Sequence, residues 1–394
     1  MSARTVVLTL ALAGLVPAQS LAASQLPAPP VAALPAPPPT AAALSYAPGK
    51  VPSTEEILRL PDSLRELVRE RVVRRGGTEE QRLERLFALL FGEDAAVELE
   101  YDIEATRSVA EAWRDRRANC LSFTLLVVAM AREAGLVARV RELGDSVAWY
   151  QDAGAVYNVD HVNAGIRAGN KVHVVDLDRR VLVSRHSPRV IDDDRAIAHF
   201  HNNRGAELLA AGDLVQAQLA LEAALALAPD FVPAWSNLGV LLQRRGDHAG
   251  AGQALLRAHA LQPEHAPTLR NLANYYLRVE QPRLAQFYTR RLEQSRRSDP
   301  FHHFARALSC EHERDLECAI RYYRQAIRLQ PGEHQFHFGL ARVHAMAGDA
   351  QAVRRELARA ASATSSDSLR SLYHRKLQAL QARGNANPGP ALAR

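Results

Sequence analysis

Residues 235–263 read WSNLGVLLQRRGDHAGAGQALLRAHALQP, and the order of side chains in this stretch returns elsewhere at a fixed distance. Here a bulky Trp235 is followed by Leu238-Gly239 and then by Ala251, Leu255, Ala258 and Pro263. Thirty-four residues earlier stand Gly205, Leu208, Ala217, Leu221, Ala224 and Pro229, so the register holds through two full copies. A third copy, with Leu269, Leu272, Ala273, Tyr276 and Ala285, drifts at its end and reaches its proline only at Pro300. Ala307, Ala319, Tyr323, Ala326 and Pro331 make a fourth, and Leu340, Ala341, Leu357 and Ala360 a weaker fifth. Gly212-Asp213, Gly246-Asp247 and Gly348-Asp349 mark a turn inside the copies that carry them. Such a unit is a pair of antiparallel helices stacked on its neighbours. Small residues such as Gly205/Gly239 and Ala217/Ala251 let the pair approach closely, while the large ones fill the seam with the next pair.

In this pattern the chain resembles the tetratricopeptide family over about residues 196–383, ending in an amphipathic capping helix from Asp367 to Ala382. The resemblance implies an all-α solenoid whose groove receives a peptide or protein partner and performs no chemistry by itself. Histidines are frequent here, among them His302, His303, His334, His337 and His344. His201, His303 and His337 take the position of Trp235, where packing with a polar edge is the expected role. No compact Cys/His spacing suited to zinc, no Gly-rich phosphate loop and no dinucleotide fingerprint is present, so neither metal nor other cofactor is expected.

The chain has 394 residues, 47% of them hydrophobic, enough for two domains with cores of their own. Residues 1–24, MSARTVVLTLALAGLVPAQSLAAS, place Arg4 before an apolar run from Val6 to Val16, with Ser20-Leu21-Ala22 as a small-x-small cleavage site. Residues 1–22 therefore read as a secretory signal peptide, because the run is shorter than the roughly 20 residues of a membrane span. Residues 23–53 form a Pro/Ala-rich linker and 384–394 a disordered tail. The protein is expected in the periplasm or outside the cell, peripheral to a membrane at most. Its formal charge of +6 divides into −4 over 54–195 and +8 over 196–394. The arginines of the second part are scattered among acids along helices, which describes a solvated surface and no nucleic-acid partner.

There are three cysteines, and an exported protein lives where disulfides form. Cys310 and Cys318 fall on the two helices of one copy, where pairing is one alternative; it would leave Cys120 as the odd thiol. In RRANCLSFTLLVVAMAR, residues 116–132, a polar segment turns apolar at Cys120, so the cysteine opens a helix that Gly135 stops. There a thiolate gains from the helix dipole and from the unpartnered N–H groups of the first turn. A thiolate nucleophile also needs a base. His161 opens one expected strand, and 171–178, KVHVVDLD, reads as the next, reached by the Ala168-Gly169-Asn170 turn, which puts Asp176 beside His161. Upstream, Thr54 to Gly92 reads as helices that pack on this core, with Asp62 and Thr78 as N-caps.

At these residues, about 100–180, the chain resembles the transglutaminase-like, papain-related cysteine enzymes. The matching pieces are Asn119-Cys120, Arg132-Glu133-Ala134-Gly135-Leu136-Val137-Ala138-Arg139, His161-Val162 and Val174-Val175-Asp176. The resemblance implies an α+β transglutaminase-like domain over 54–195, with Cys120 as nucleophile, His161 as general base and acid, and Asp176 orienting the imidazole. Asp178 competes for the orienting role. The Cys120 backbone N–H would help hold the oxyanion, with Trp113 and Gln151 as side-chain candidates. This chain departs from the family at Ala118, where glycine is usual, and at Asn163-Ala164, where an aromatic is usual. The implied activity is acyl transfer from a peptide or protein amide, of protease, amidase or transglutaminase type; the alternative is a non-catalytic scaffold of the cell envelope.

Overall fold

The computed structural model describes residues 51–384 except 93–94, 103–104, 144–145, 151–154, 160, 177–181, 185–187 and 365. The expected leader, the linker up to residue 50 and the tail beyond residue 384 lie outside the described residues. Three short helices come first: α1 (Thr54–Leu58), α2 (Asp62–Val68), which runs on through one π-helical turn at Arg69–Val73, and α3 (Glu79–Phe91). Ser53 and Thr78 cap α1 and α3 with full capping boxes, each side chain exchanging hydrogen bonds with the third helical residue. Asp62 is not a cap. Pro61, extended at ψ 148°, precedes the helix, and Asp62 is its first residue, paired with Arg65 at 2.7 Å.

Strand β1 (Glu100–Tyr101), helix α4 (Val109–Asp115), strand β2 (Arg117–Ala118) and helix α5 (Cys120–Glu133) follow. From Leu121 to Ala131 every residue of α5 is buried. A helix apolar all round has to be enclosed. The enclosing sheet comes from β3 (Val137–Glu142), β6 (Val162–Ala168), β7 (Lys171–Val175) and β9 (Arg189–Ile191), in the order β7-β6-β3-β9 and antiparallel throughout. Between them β4 (Ser146–Tyr150) and β5 (Ala155–Val159) form a hairpin that β8 (Leu182–Ser184) extends into a second, three-stranded sheet. Ala138, Val140, Ala164, Ile166 and Val175 face α5 and are at most 3% exposed, so each strand keeps alternate residues on the core side.

Ten helices form five antiparallel pairs: α6 (Asp193–Ala211) with α7 (Leu214–Leu227), α8 (Val232–Arg244) with α9 (His248–Leu261), α10 (Ala266–Arg278) with α11 (Pro282–Ser298), α12 (Pro300–His312) with α13 (Leu316–Leu329), and α14 (His334–Met346) with α15 (Ala350–Ala363). Helix α16 (Asp367–Gly384) closes the stack. The pairs touch through small residues: a Cβ on Gly239 would come within 2.5 Å of Leu255 Cγ. The drift of the third copy is visible in its second helix, which has 17 residues where α7, α9, α13 and α15 have 14; position 297, where the register places a proline, is Arg297, and the next proline is Pro300. Cys310 and Cys318 form a disulfide across the α12–α13 turn, with Cα atoms 5.7 Å apart.

The boundary expected at residue 195/196 falls inside a helix, not in a linker. Ala196, Ile197 and Phe200 of α6 belong to the α+β core, whereas Ala198 and Leu209 of the same helix belong to the core of the repeats. At this joint Glu142 at the end of β3 binds His199 at 2.8 Å, Arg195 at 3.3 Å and Arg189 at 2.7 Å. Burial opposes the charge on Glu142, yet His199 and the arginines outweigh it and hold the carboxyl far below its ordinary 4.5. A carboxyl depressed in this way stabilises the fold above pH 4.5 and loses that contribution as the pH falls below it. Glu142→Gln should cost about 2 kcal/mol at pH 7. Urea denaturation should show the gap between the two proteins shrinking below pH 4.5; a gap independent of pH would contradict this.

In the third and fourth pairs the turn glycine is replaced by Glu280 and Arg314, both left-handed at φ 56° and 59°, whereas Gly246 holds the same turn at φ 82°. A residue with a Cβ is strained there. Arg314→Gly is therefore expected to stabilise the protein by about 1 kcal/mol, read as a higher urea midpoint at an unchanged slope.

Candidate active site

Three loops deliver the site. Asn119 caps α5, its Oδ1 accepting the N–H of Ser122 at 2.8 Å, so Cys120 is fixed as the first helical residue. The Asn119 amide donates in turn to Thr106 Oγ1 at 2.8 Å, and the Thr106 N–H donates to Glu207 of α6 at 2.7 Å. The β1–β2 pairing holds the chain just before Asn119, with the Asp102 N–H on the Ala118 carbonyl at 3.0 Å. Cys120 is the free cysteine among the described residues and is partly exposed.

His161 stands just before β6 and Asp176 just after β7, and the hairpin register that pairs Ala164 with Val175 brings these two ends together. His161 Nε2 lies 2.6 Å from Asp176 Oδ2. The imidazole is 2% exposed, and the Cys120 side chain is close enough to act with Asp176 on its protonation. Thr124 Oγ1 on the Val162 carbonyl, at 3.3 Å, ties α5 to β6 one turn from the cysteine. The structure thus brings Cys120, His161 and Asp176 together. Burial opposes a charge on His161, but the bonds to Asp176 and Cys120 outweigh it and raise the imidazole from 6.5 to about 10.

Of the side-chain oxyanion candidates, Trp113 is committed elsewhere: its indole N–H donates to Ser63 Oγ at 3.1 Å, and Arg116 stacks 3.7 Å above the ring. Gln151 and Asp178 lie outside the described residues. By helix geometry the Cys120 N–H has no intrahelical partner, so the backbone donor at the helix start remains. Asn163, noted in the sequence only as a departure, sits opposite Arg141 and points its Nδ2 to Asp176 Oδ2 at 3.5 Å, with its own Oδ1 buried and unpartnered. Thr106 gave no signal in the sequence, since it lies in a stretch without periodicity.

A family model for the tetratricopeptide repeat matches residues 202–266 and 313–368. The helical half is built of tetratricopeptide repeats. The match includes no part of residues 54–195, and no curated protein matches the chain. Among solved structures, pilF of Pseudomonas aeruginosa is 16% identical with a TM-score of 0.27, over 50% of this chain and 96% of that one. MamA of Desulfovibrio magneticus RS-1 is 17% identical with a TM-score of 0.24, over 48% and 97% of the two chains. YrrB, described as a TPR protein with an unusual peptide-binding site, is 19% identical with a TM-score of 0.24, over 46% and 92%. Likeness at this level carries nothing about function.

Within the tetratricopeptide half, one hydrogen bond explains two of the histidines that stand at the Trp235 position. Trp235 Nε1 donates to the Pro229 carbonyl at 2.9 Å, and His303 and His337 donate through Nε2 to the carbonyls of Arg297 and Pro331, at 2.9 and 3.1 Å. Each ring holds the chain six residues before it, at Pro229 and Pro331 just beyond the preceding helix and at Arg297 in the last turn of α11. His201 makes no such bond; it is buried, which pushes its imidazole down to about 4. Among the described residues no group of three or more His, Cys, Asp or Glu is placed to hold a metal ion, and no helix is long and apolar enough to cross a membrane.

A histidine held up to about 10 contributes stability that is complete below its ordinary 6.5 and fades as the pH rises through 10. Asp176→Asn should therefore cost about 2 kcal/mol at pH 7 and much less above pH 10, measured by urea denaturation of both proteins. Equal costs at the two pH values would refute the ion pair.

Proposed function

We propose that the protein is a cysteine-dependent acyl-transfer enzyme acting on a peptide or protein amide, with the repeats binding the polypeptide that carries that amide. The observation behind this reading is the chain of contacts from Cys120 through His161 to Asp176, at the start of a buried helix. The Cys120 thiolate attacks the amide carbonyl carbon, and the oxyanion that forms meets the N–H groups of the first turn of α5. His161, protonated by its pairing with the thiolate, gives its proton to the departing amine, and a thioester on Sγ remains. Water or a second amine then attacks the thioester, loses a proton to His161 and releases Cys120 as thiolate. Export to the periplasm or beyond belongs to the same proposal, and the Cys310–Cys318 disulfide, a bond kept in oxidising compartments, supports it.

A second reading has an observation of its own: the family match falls on the repeats alone, which favours a scaffold that binds proteins without chemistry. Alkylation of Cys120 in the full chain by iodoacetamide, followed against pH by mass spectrometry, separates the two. The enzyme reading expects a rate that stays high well below the free-thiol value of about 8.5 and that drops more than about tenfold at pH 6 in His161→Ala. An ordinary thiol profile, unmoved by that substitution, would leave the scaffold reading.

A further inference from the structure

The four-stranded sheet has a second face, turned away from α5. Across it Val137 stands opposite Arg167, which stands opposite Val172; Arg139 stands opposite Gly165, which stands opposite Val174; and Arg141 stands opposite Val190. The four valines are 45%, 62%, 53% and 60% exposed for Val137, Val172, Val174 and Val190. Four exposed valines alternating with arginines on one face are the composition of an interaction surface with both apolar and charged contacts.

The arginines between them stand without a carboxylate partner among the described residues. In the same half Arg65, Arg69, Arg107, Arg132 and Arg189 each meet a carboxylate within 3.2 Å. Among the described residues Arg139, Arg141 and Arg167 close no ion pair, although residues 54–195 carry more acids than bases. The acid that feels Arg139, Asp193, already has both oxygens bound to the Arg132 guanidinium at 2.7 Å. Gly165 makes room for one of the three: a Cβ there would lie 2.7 Å from Arg141 Cδ, so the missing side chain lets Arg141 lie along the sheet. Desolvating three unpaired guanidinium groups is costly unless the partner brings carboxylates, which accept the planar guanidinium two bonds at a time.

We propose that this face docks an acidic polypeptide segment of a partner protein, one with apolar side chains between its carboxylates. The valines take the apolar side chains and the arginines the carboxylates. A second copy of the chain fits badly, because at these positions it brings only valines, glycine, asparagine and arginines and so no carboxylate for the guanidinium groups. Among the described residues of this face a nucleic acid would find no aromatic ring on which to stack a base. An anionic membrane is usually met by a larger cluster of basic residues than these three. The Arg141–Asn163 row leads to Asp176, so a segment lying on the face reaches the Asp176 end of the candidate site. The docking surface stands on its own geometry and does not depend on chemistry at Cys120.

The test uses the full chain and fluorescein-labelled peptides that alternate Glu with Val, Glu with Ser, and Lys with Val, read by fluorescence anisotropy. The Glu-Val peptide should bind most tightly, weaken with added salt, and lose at least about tenfold in affinity for both Arg139→Glu/Arg141→Glu and the milder Arg139→Gln/Arg141→Gln. Far-ultraviolet circular dichroism should show all variants folded. Absence of binding overturns the proposal, and so does equal affinity for wild type and variants, which would place the peptide on the basic repeats. Two further results also overturn it. One is a dimer in sedimentation velocity that the substitutions dissociate; the other is arginine-dependent binding to phosphatidylglycerol vesicles without binding to the Glu-Val peptide.

Discussion

Helix α5 is apolar on every side, and a helix of that kind has no stable place except inside. Everything in the first half answers this need: the sheet covers one side, and α1 to α4 with the first turns of α6 cover the rest. The enclosure stops at the first residue. Cys120 lies where the buried helix reaches the surface, so the demand for burial itself aims the thiol at the seam between helix and sheet. Asn119 then sets the position of the thiol along the helix, because a cap admits one register only.

The second half solves a different problem by repetition. No helix pair of the solenoid encloses its own apolar residues; each leaves large side chains for its neighbour, and four successive clusters carry the core from α6 to α16. Polar anchors are spread through the same stack. Tyr323 donates to Glu311 at 2.6 Å and Arg342 forks onto the same carboxylate at 2.9 and 2.8 Å, joining α12, α13 and α14 through one acidic group. Where a copy departs from the pattern, as at Arg297, the helix lengthens by three residues and the stack continues.

Much of this was legible in the sequence because it is periodic or ordered along the chain. The spacing of Leu238, Gly239, Ala251 and Pro263 gave five helix pairs, and the strand-turn-strand pattern from His161 to Asp176 gave a contact of 2.6 Å. What escaped reading depends on single residues acting without a period. Thr106 reaches Asn119 and Glu207 from an irregular loop. Asp62 has the chemistry of a cap but follows a proline that already ends the extended chain. Trp113 is an N–H donor near the cysteine in sequence, yet its ring points to Ser63. The unpaired arginines of the outer sheet face were likewise invisible, because a count of charges does not say which of them meet.

Helix α6 serves two cores at once, and this has a bearing on how the chain is made. Synthesis proceeds from the N-terminus, so the first half still lacks Ile197, Phe200 and the Glu207 carboxylate when residue 195 has been added. It completes its interior only as the first repeat helix arrives. From then on that helix is already seated, and it offers the second copy a finished surface, so the solenoid can grow in one direction from a fixed end. Repeat arrays commonly need a special polar unit to seal each terminus; here a folded α+β body seals one and α16 the other.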